Sequence, residues 1–533
     1  MGRILKFLLS VALPLLTCAD TLLVRSLDGE KWWGGATLFG RDQPYVDCGE
    51  RDQNLDNFCN QIAPFFVSSA GRYIWSEKPL KWCAKGGNLT LESTAKIELV
   101  QAGATLKEAF LAAAKAHFPP TGTIPDELFF TRPQYNHGVE SYYTGMTQES
   151  VEKYVRAIVD HGFPIGVVIV DDGWEKDFGT WEFKPGAFPR PREMTDKLHA
   201  LGAKVMLWVV PYISPDSLEG LSLCDKGYVL RCHAGKNSRG NAAIVRWWSG
   251  YSFAYDLSAP GTLDYLTGKL NGLMKDYGID GFKFDGADLP HYTLYGATSN
   301  VFSRPGYTAA DNCRDWSLFA SAYRFNEMRA SYNTAGQPLV QRLQDKAHSW
   351  EDLRALVPDM LAAGILGYAY TCADMIGGGL IGSFLDPEFH FDKKIMIRSC
   401  QAHALMPMMQ FSIAPWRVLN EADTAICRAA AELHVTFAPR ILDLAKHASK
   451  TGEPIMRLME YEFPHQGLAD CRDQFMLGGD WLVAPVLNAD DSRIVRLPAG
   501  AWTDDLGKTY EGPQTLELTN VPLERLPRYR KVR

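Results

Sequence analysis

Two spacings of apolar residues alternate along the middle of the chain. From about residue 126, short apolar runs are separated by longer segments in which apolar positions recur every three or four residues. The short runs are typical of buried strands, and the longer segments are typical of amphipathic helices. Their regular alternation indicates repeated strand–helix units, which form a parallel sheet.

Eight strands are predicted in this series. They are LFFTRP (128–133), GVVIVDDGW (166–174), KVMLWVVP (204–211), GIDGFKFDG (278–286), PLVQRL (338–343), LGYAYTCAD (366–374), MPMMQFS (406–412) and PIMRLME (454–460). Helices are predicted over 147–161, 191–202, 261–277, 315–334, 350–364, 393–405 and 431–449. Eight units over roughly 330 residues favour a (β/α)8 TIM barrel. An open, doubly wound sheet is the alternative, but the glycine-rich fingerprint expected after its first strand is absent from the sequence.

Short strand patterns separated by turns flank this series on both sides. They predict β-sandwich-like domains before and after the barrel. The predicted division is a signal peptide over 1–19, an N-terminal β domain over 20–125, the catalytic barrel over 126–465 and a C-terminal β domain over 466–533.

The first twenty residues have the pattern of an export signal. Arg3 and Lys6 precede an apolar run that ends in small residues, which predicts cleavage after Ala19. A lipoprotein signal at Cys18 is the weaker alternative, and the run is too short for a confident membrane span. We therefore expect export to a periplasmic, extracellular or lumenal compartment, with no membrane attachment after cleavage.

The composition is that of a large globular protein. Hydrophobic residues make up 46% and aromatic residues 12%, and the net charge of −7 argues against nucleic acid or an anionic membrane as the main partner. Ten cysteines remain after removal of Cys18, and export predicts one or two disulfides, with Cys224–Cys232 as the first choice. The oligomeric state is left open.

The segment DGFKFDGAD (280–288) places two charges inside an apolar strand. Because side chains alternate between the faces of a strand, Lys283 and Asp285 share one face, and Phe282 and Phe284 share the other. The phenylalanines are expected to pack under a helix. The charged pair is then either part of a site or a surface ion pair on an edge strand.

Other polar residues end or follow the predicted strands. They are Asp171, Asp172, Trp208, Arg342, Asp345 and Asp374. Active residues of a barrel lie at the carboxyl ends of its strands. Carboxylates accept hydrogen bonds from sugar hydroxyls, and indole faces stack on sugar rings, so this set predicts a sugar site. A metal site at Asp171 and Asp172 lacks a histidine pair at ligand spacing, and the G-x-S-x-G elbow of a serine hydrolase is absent from the sequence.

Glycoside cleavage needs one ionised carboxyl group and one that starts protonated. Lys283 is expected to keep Asp285 ionised by its charge and by a hydrogen bond, so Asp285 is the predicted nucleophile. Asp345 is the predicted acid/base, a role that requires a raised pKa.

Three motifs resemble glycoside hydrolase family 31. They are DGFKFDGAD (280–288), RLQDKAHSW (342–350) and LGYAYTCADMIGGG (366–379), in this order. Four further segments, VVIVDDGW, FKPGAFPRP, KVMLWVVPYISPDS and VRWWSGYS, resemble its α-galactosidase-like branch. The similarity runs from about residue 126 to 490.

The resemblance implies a retaining mechanism with Asp285 as nucleophile and Asp345 as acid/base. It also implies sugar contacts in the first subsite from Asp171, Asp172, Trp208, Lys283 and Arg342, with Asp374 in support. Trp247 and Trp248 are expected either to form an aglycone wall or to pack within their loop.

The chain departs from the α-glucosidases of this family. It lacks their W-x-D-M-x-E nucleophile segment and their longer insert between the conserved arginine and the acid. The resulting prediction is an α-galactosidase acting on an α-galactoside oligosaccharide or glycoconjugate, with no cofactor or metal. An α-glucosidase or α-xylosidase, and a carbohydrate-binding pseudoenzyme without activity, are the alternatives.

Overall fold

The computed structural model of the protein describes residues 20–232, 241–293 and 300–532. The predicted signal peptide, the cleavage after Ala19 and the lipoprotein alternative at Cys18 lie outside the described residues. None of the helices in the described ranges is long and apolar enough to cross a membrane.

Eight parallel strands form a barrel in the middle of the chain. In chain order, barrel strands 1 to 8 are Gln134–Asn136, Val167–Val170, Lys204–Val209, Gly281–Phe284, Phe325–Met328, Gln341–Arg342, Thr371–Cys372 and Gln410–Phe411. Strands 1 to 6 each pair with the next in sequence, and strand 8 pairs with strand 1. A single bridge from Cys372 to Met408 connects strands 7 and 8, so the barrel is nearly closed. The predicted fold class is confirmed.

Two predicted barrel strands are wrong. The run at 128–131 is the helix Leu128–Thr131, and barrel strand 1 begins only after the following proline. The run at 454–460 contributes Met456–Arg457 to the C-terminal sheet instead. Both runs are short and apolar, and periodicity cannot distinguish a strand from a buried helical turn in such runs.

Barrel strand 5 was predicted as part of a helix over 315–334. The helix is Ala309–Ala320, and Phe325–Met328 is a strand. Asn326 and Glu327 are fully buried on it, and both have polar partners. Asn326 donates to the Tyr323 and Pro338 carbonyls, and Glu327 accepts from Gln410. Because these buried positions are polar, the sequence of this strand lacks the hydrophobic pattern by which strands were predicted.

Helices connect most of the barrel strands. The main ones are Gln148–Asp160, Pro191–Ala200, Thr262–Tyr277, Ala309–Ala320, Trp350–Ile365, Lys393–Ala404 and Glu421–Thr451. Shorter helices are Leu128–Thr131, Gly138–Thr144, Leu218–Lys226, Leu289–Thr293, Ile381–Leu385, Pro415–Val418 and Met459–Glu462, and Leu106–His117 precedes the barrel. Phe284 packs edge-on against Trp316 of Ala309–Ala320, as expected for the apolar face of barrel strand 4.

Sheets that are mainly antiparallel lie before and after the barrel in the chain. One N-terminal sheet has the order Asp20–Val24, Asn88–Ser93, Leu80–Lys85 and Cys48–Asp52. The other has the order Ser331–Tyr332, Gln61–Ser68, Arg72–Ser76 and Ile97–Gln101, with Trp32–Ala36 also paired to Gln61–Ser68. The C-terminal sheet has the order Met456–Arg457, Phe475–Leu477, Trp481–Val483, Arg528–Lys531, Arg493–Asp504 and Thr509–Leu518.

The N-terminal domain joins the barrel through a parallel strand pair. Ser331 and Tyr332, just after barrel strand 5, lie opposite Gln61 and Ile62. This pairing places residues 57–61 over the mouth of the barrel. Two small sheets, Tyr212–Ile213 with Gly250–Ala254 and Ile244–Trp247, and Arg231–Cys232 with Asn300–Val301, lie in the loops after barrel strands 3 and 4.

The disulfides expected from the cysteine count are not shown. Cys48, Cys59 and Cys83 are free thiols. The pairing of Cys224 with Cys232 stays a prediction.

Candidate active site

A cavity of about 700 Å³ opens at the carboxyl ends of the barrel strands. Eight of the residues predicted for the site line it: Asp171, Asp172, Trp208, Trp248, Lys283, Asp285, Arg342 and Asp345. Asp374 lies behind this lining and accepts a hydrogen bond from Arg342. The structure thus brings the whole predicted set to one place.

Asp285 is held by one side chain from barrel strand 3 and one that directly follows barrel strand 5. Its Oδ2 accepts a 2.8 Å hydrogen bond from Trp208 Nε1, and its Oδ1 accepts a 2.8 Å hydrogen bond from Arg329 Nε. Burial alone would raise the pKa of Asp285, but the charges of Arg329 and Lys283 and the Trp208 hydrogen bond bring it below its ordinary value. Asp285 is therefore ionised at neutral pH.

Lys283 does not make the hydrogen bond predicted for it. Its Nζ lies 2.6 Å from Asp171 Oδ2, and Arg329 takes the expected place beside Asp285. Strand alternation correctly gave the shared face of Lys283 and Asp285 but could not give the partner, because a long side chain reaches across to a neighbouring strand. The edge-strand alternative is excluded, since barrel strand 4 pairs on both sides.

Asp345 lies between two guanidinium groups. Its Oδ1 is 3.0 Å from Arg329 Nη1 and 2.8 Å from Arg342 Nη1. Burial raises the pKa of Asp345, but Arg329 and Arg342 outweigh it and hold the pKa below its ordinary value. The raised pKa that an acid needs is thus not present in this arrangement.

Arg342 also connects Asp345 to the buried carboxylates behind the cavity. The same Nη1 donates to Asp374 Oδ1 at 2.8 Å, and Asp374 accepts from the backbone amides of Lys346 and Gly379 through Oδ2. Glu327 lies 3.3 Å from Arg342 Nε inside the barrel. Arg342 is fully buried, so these carboxylates fix its position.

Asp172 differs from Asp285 and Asp345 in the direction of its pKa shift. Burial, together with the charges of Asp171 and Asp285, raises its pKa to about 6. It is ionised at neutral pH but takes up a proton under mildly acidic conditions.

Arg329 is the site residue that the sequence did not predict. It directly follows barrel strand 5, which was assigned to a helix, so it was not recognised as a strand-end residue. Its guanidinium contacts both Asp285 and Asp345, which are thus separated by no more than one guanidinium group. Arg329 would have been recognised as a strand-end residue only if strand 5 had been predicted correctly.

The N-terminal domain supplies the second missed residue. Cys59 lines the cavity, and its Sγ accepts a hydrogen bond from Arg329 Nη2 at 2.8 Å. Its backbone amide donates to Asp288, just beyond barrel strand 4. Arg329 is therefore held from the N-terminal domain as well as by the two carboxylates.

The two adjacent tryptophans have different surroundings. Trp247 is buried, stacks on Trp208 at an interplanar angle of 17° and donates to Ser252. Trp248 lines the cavity, is 46% exposed and lies against Arg329, whose Cζ is 5.4 Å from the ring centroid. Trp247 thus packs within its loop, and only Trp248 is placed to meet a ligand.

Comparison with known proteins gives the family. The model of the glycosyl hydrolases family 31 TIM-barrel domain matches residues 131–444, and the model of the family 31 C-terminal domain matches residues 452–532. The myogenesis-regulating glycosidase of Mus musculus is 30% identical over 390 residues, which are 71% of this chain and 53% of that protein. Alpha-xylosidase XylQ of Lactiplantibacillus pentosus is 25% identical over 508 residues, 87% of this chain and 61% of that protein.

The chain therefore spans between about half and two thirds of the length of these two relatives. Among solved structures, a family 31 α-xylosidase from a soil metagenome, complexed with xylose, superposes with a TM-score of 0.83 at 22% identity. The alignment covers 96% of this chain and 79% of that one and supports the fold. The chain belongs to glycoside hydrolase family 31, and to the branch of it that the motifs predicted.

Proposed function

We propose that the protein is an exported, retaining α-galactosidase that releases terminal α-linked galactose. The observation that carries the proposal is that Asp285 and Asp345 contact two different nitrogen atoms of the Arg329 guanidinium, at the bottom of a cavity large enough for a sugar. Export rests on the N-terminal sequence pattern alone.

Asp285 is the proposed nucleophile because its environment favours the carboxylate. It attacks the anomeric carbon while Asp345 gives its proton to the departing glycosidic oxygen. The product of this step is a glycosyl ester of Asp285. Asp345 then takes a proton from water, and that water attacks the anomeric carbon and releases Asp285.

Asp345 must carry a proton at the start of this cycle, whereas its contacts with Arg329 and Arg342 favour the ionised form. The entering sugar would occupy the space beside Asp285 and separate Arg329 from Asp345. Burial would then oppose only the charges of Arg342 and Lys283, so the pKa of Asp345 would rise towards the range that an acid needs.

Galactose is proposed because the chain lacks the W-x-D-M-x-E segment and the insert of the α-glucosidases. Xylose or glucose is the second candidate, since relatives are named as an α-xylosidase and a 1,3-alpha-isomaltosidase. A panel of p-nitrophenyl α-glycosides of galactose, glucose and xylose distinguishes them. Release from the galactoside alone supports the proposal, and release from none supports the pseudoenzyme.

The first prediction concerns the nucleophile. Asp285→Asn is expected to lower turnover at least about 10³-fold, because an amide cannot form the glycosyl ester. The melting temperature should stay near that of the unchanged protein. Asp196→Asn, which alters an exposed surface ion pair with Arg192, is the matched control and should keep full activity. An active Asp285→Asn enzyme would refute the assignment.

A further inference from the structure

We propose that the outer part of the cavity binds an apolar aglycone, so that the leaving group, which departs with the glycosidic oxygen and the proton from Asp345, is an aliphatic alcohol or a phenol and not a second sugar. This inference rests on the proposed glycosidase function and specifies its substrate class. It is based on the distribution of charge in the cavity, on the occupied polar side chains and on a second cavity beside the first.

Charge is confined to the bottom of the cavity. Every charged side chain in its described lining lies at or just beyond the end of a barrel strand, from Asp171 to Asp345. The outer lining comes from loops and short helices and is uncharged and largely apolar. It includes Val139, Tyr142, Met146, Trp248, Leu380 and Ile381. A sugar ring therefore suits the bottom, and an apolar group suits the mouth.

Three of these outer side chains are exposed to solvent. Tyr142 is 60% exposed, Trp248 46% and Leu380 45%. Apolar groups arranged around a single opening are typical of a binding surface and differ from isolated exposed residues. A ligand that covers them removes this surface from water.

Two polar side chains of the outer lining, Ser141 and Gln344, already have partners within the protein. Ser141 donates to the Gly138 carbonyl, and Gln344 Oε1 accepts from Asn60. A second sugar needs partners for several hydroxyl groups, because an unpaired buried polar group costs free energy. The described part of the mouth offers few such partners.

A second cavity of about 260 Å³ adjoins the mouth. Its described lining includes Tyr143, Phe384, Phe389, Phe391 and Val418. The two cavities share two walls. The helix Gly138–Thr144 gives Tyr142 to the first and Tyr143 to the second, and the helix Ile381–Leu385 gives Ile381 to the first and Phe384 to the second.

Arg417 also lines the second cavity, but the cavity is still suited to an apolar group. Arg417 Nη2 donates to Glu140 Oε2 at 3.1 Å, and its guanidinium lies 4.0 Å from the centre of the Tyr143 ring. Its charge is thus paired, and its flat face covers an aromatic ring. An apolar aglycone that is too long for the mouth of the first cavity would continue into this second cavity.

The test measures binding apart from turnover. Alkyl 1-thio-α-glycosides with chains of one, four and eight carbons carry the sugar that the nitrophenyl panel identifies, or galactose if it identifies none. Their dissociation constants are measured by calorimetry below the micelle concentration. We expect the constant to fall at least about tenfold from methyl to octyl, less than full burial of every methylene would give.

Variants locate the effect. Leu380→Asp and Tyr143→Ser are expected to reduce the octyl-to-methyl ratio of affinities, Tyr143→Ser mainly in the step from butyl to octyl. Leu385→Asp is the matched control. It lies on the same helix as Ile381, is 57% exposed and is outside the described lining of both cavities, so it should keep the full ratio.

Affinities that agree within twofold from methyl to octyl would overturn the inference. So would tighter binding of a thio-linked disaccharide than of the octyl thioglycoside, which would assign the mouth to a second sugar. Chain-length-dependent binding without turnover in the nitrophenyl panel would contradict the proposed glycosidase function alone. Turnover without chain-length dependence would contradict this inference alone.

Discussion

Arg329 influences the charge of both proposed catalytic carboxylates. It is buried, and its Nε and Nη1 contact Asp285 and Asp345 while Nη2 contacts Cys59. For each carboxylate it is the largest influence that lowers the pKa. One side chain therefore favours the nucleophile in its active form and opposes protonation of the acid.

Replacing this arginine is expected to move the pH profile. Arg329→Met removes a charge that lowers the pKa of both Asp285 and Asp345, so both values rise. The acidic limb of kcat/KM, which requires ionised Asp285, and the basic limb, which requires protonated Asp345, should both move to higher pH. Turnover at the optimum should fall about 10²-fold, as for the loss of one preorganised charged donor.

Arg324→Met is the control for this variant. Arg324 is 77% exposed in its side chain and pairs with Asp126 away from the cavity, so its loss should leave both limbs in place. An Arg329→Met enzyme with unchanged limbs would show that Arg329 has only a structural role.

Asp172 gives a second dependence on pH. Its pKa of about 6 means that it loses its negative charge as the pH falls through 6. A protonated carboxyl group accepts hydrogen bonds from sugar hydroxyls less well. We expect KM to rise several-fold between pH 7 and pH 5. Asp172→Asn should have a high KM at both values, so a KM that still changes in this variant would assign the effect to another group.

Some of these residues could be predicted from the sequence and others could not. Asp171 and Asp285 follow apolar strands and Lys283 lies within one, so their place at the carboxyl ends of the barrel strands follows from the strand pattern. Arg329 follows FNEM, whose buried polar residues break that pattern. Cys59 reaches the site from another domain, and a contact of that kind leaves no local signal.

At the level of strands and helices, the side chain of Gln61 supports the parallel strand pair that joins the N-terminal domain to the barrel. Its Nε2 donates to the Arg329 carbonyl at 2.7 Å and to the Arg342 carbonyl at 2.9 Å. It thereby connects the strand Gln61–Ser68 to the ends of barrel strands 5 and 6. The backbone positions of both site arginines depend on this one buried amide.

Gln61→Leu is expected to lower both stability and activity. Two buried carbonyls lose their partner, which should reduce the free energy of unfolding by about 2–3 kcal/mol. Turnover should fall as well, because Arg329 and Arg342 lose their support. Denaturant unfolding and the nitrophenyl assay measure the two effects.

Gln101→Leu provides the comparison. Gln101 Nε2 donates to the Ala70 and Gly103 carbonyls, but at the protein surface. Water can replace those bonds, so the loss should stay below about 1 kcal/mol, with activity unchanged. Equal effects of the two substitutions would contradict the role given to Gln61.

Helices with clear end signals were predicted well. The helix Gln148–Asp160 begins after Thr147, whose side chain accepts from the Ser150 amide, and Pro191–Ala200 begins with its proline. Glu421–Thr451 is an exception, because it begins ten residues earlier than predicted although the capping residue Asn420 precedes it. A capping residue thus marks a helix start only where the prediction takes it into account, and polar residues inside the barrel obscure the hydrophobic pattern of a strand.

For the molecule as a whole, Arg398 joins the barrel to the C-terminal domain. It lies on the helix Lys393–Ala404 and is fully buried. Its guanidinium donates to the Val521 carbonyl at 2.6 Å, to the Pro522 carbonyl at 3.1 Å and to Asp491 at 2.8 Å. A single side chain thus meets most of the polar groups at this part of the contact.

Arg398→Met should destabilise the contact between these domains. Asp491 keeps its ion pair with Lys394, but the carbonyls lose their donor, and we expect a loss of about 3 kcal/mol in unfolding free energy. Arg428→Met is the control, since Arg428 is partly exposed and donates to one carbonyl, that of His161. A loss below about 1 kcal/mol for Arg398→Met would show that other contacts, such as the ion pair of Lys394 with Asp491, hold the domains together without Arg398.

The contact between Cys59 and Arg329 has a consequence for the order of folding. These residues are 270 positions apart in the chain. Contacts between such distant segments form slowly, because the intervening chain must first become ordered. The barrel can complete many of its helices and strands from local sequence, but the guanidinium that sets the charges in its mouth is fixed only when the earliest and middle parts of the chain meet. Catalytic competence is therefore a late product of chain assembly.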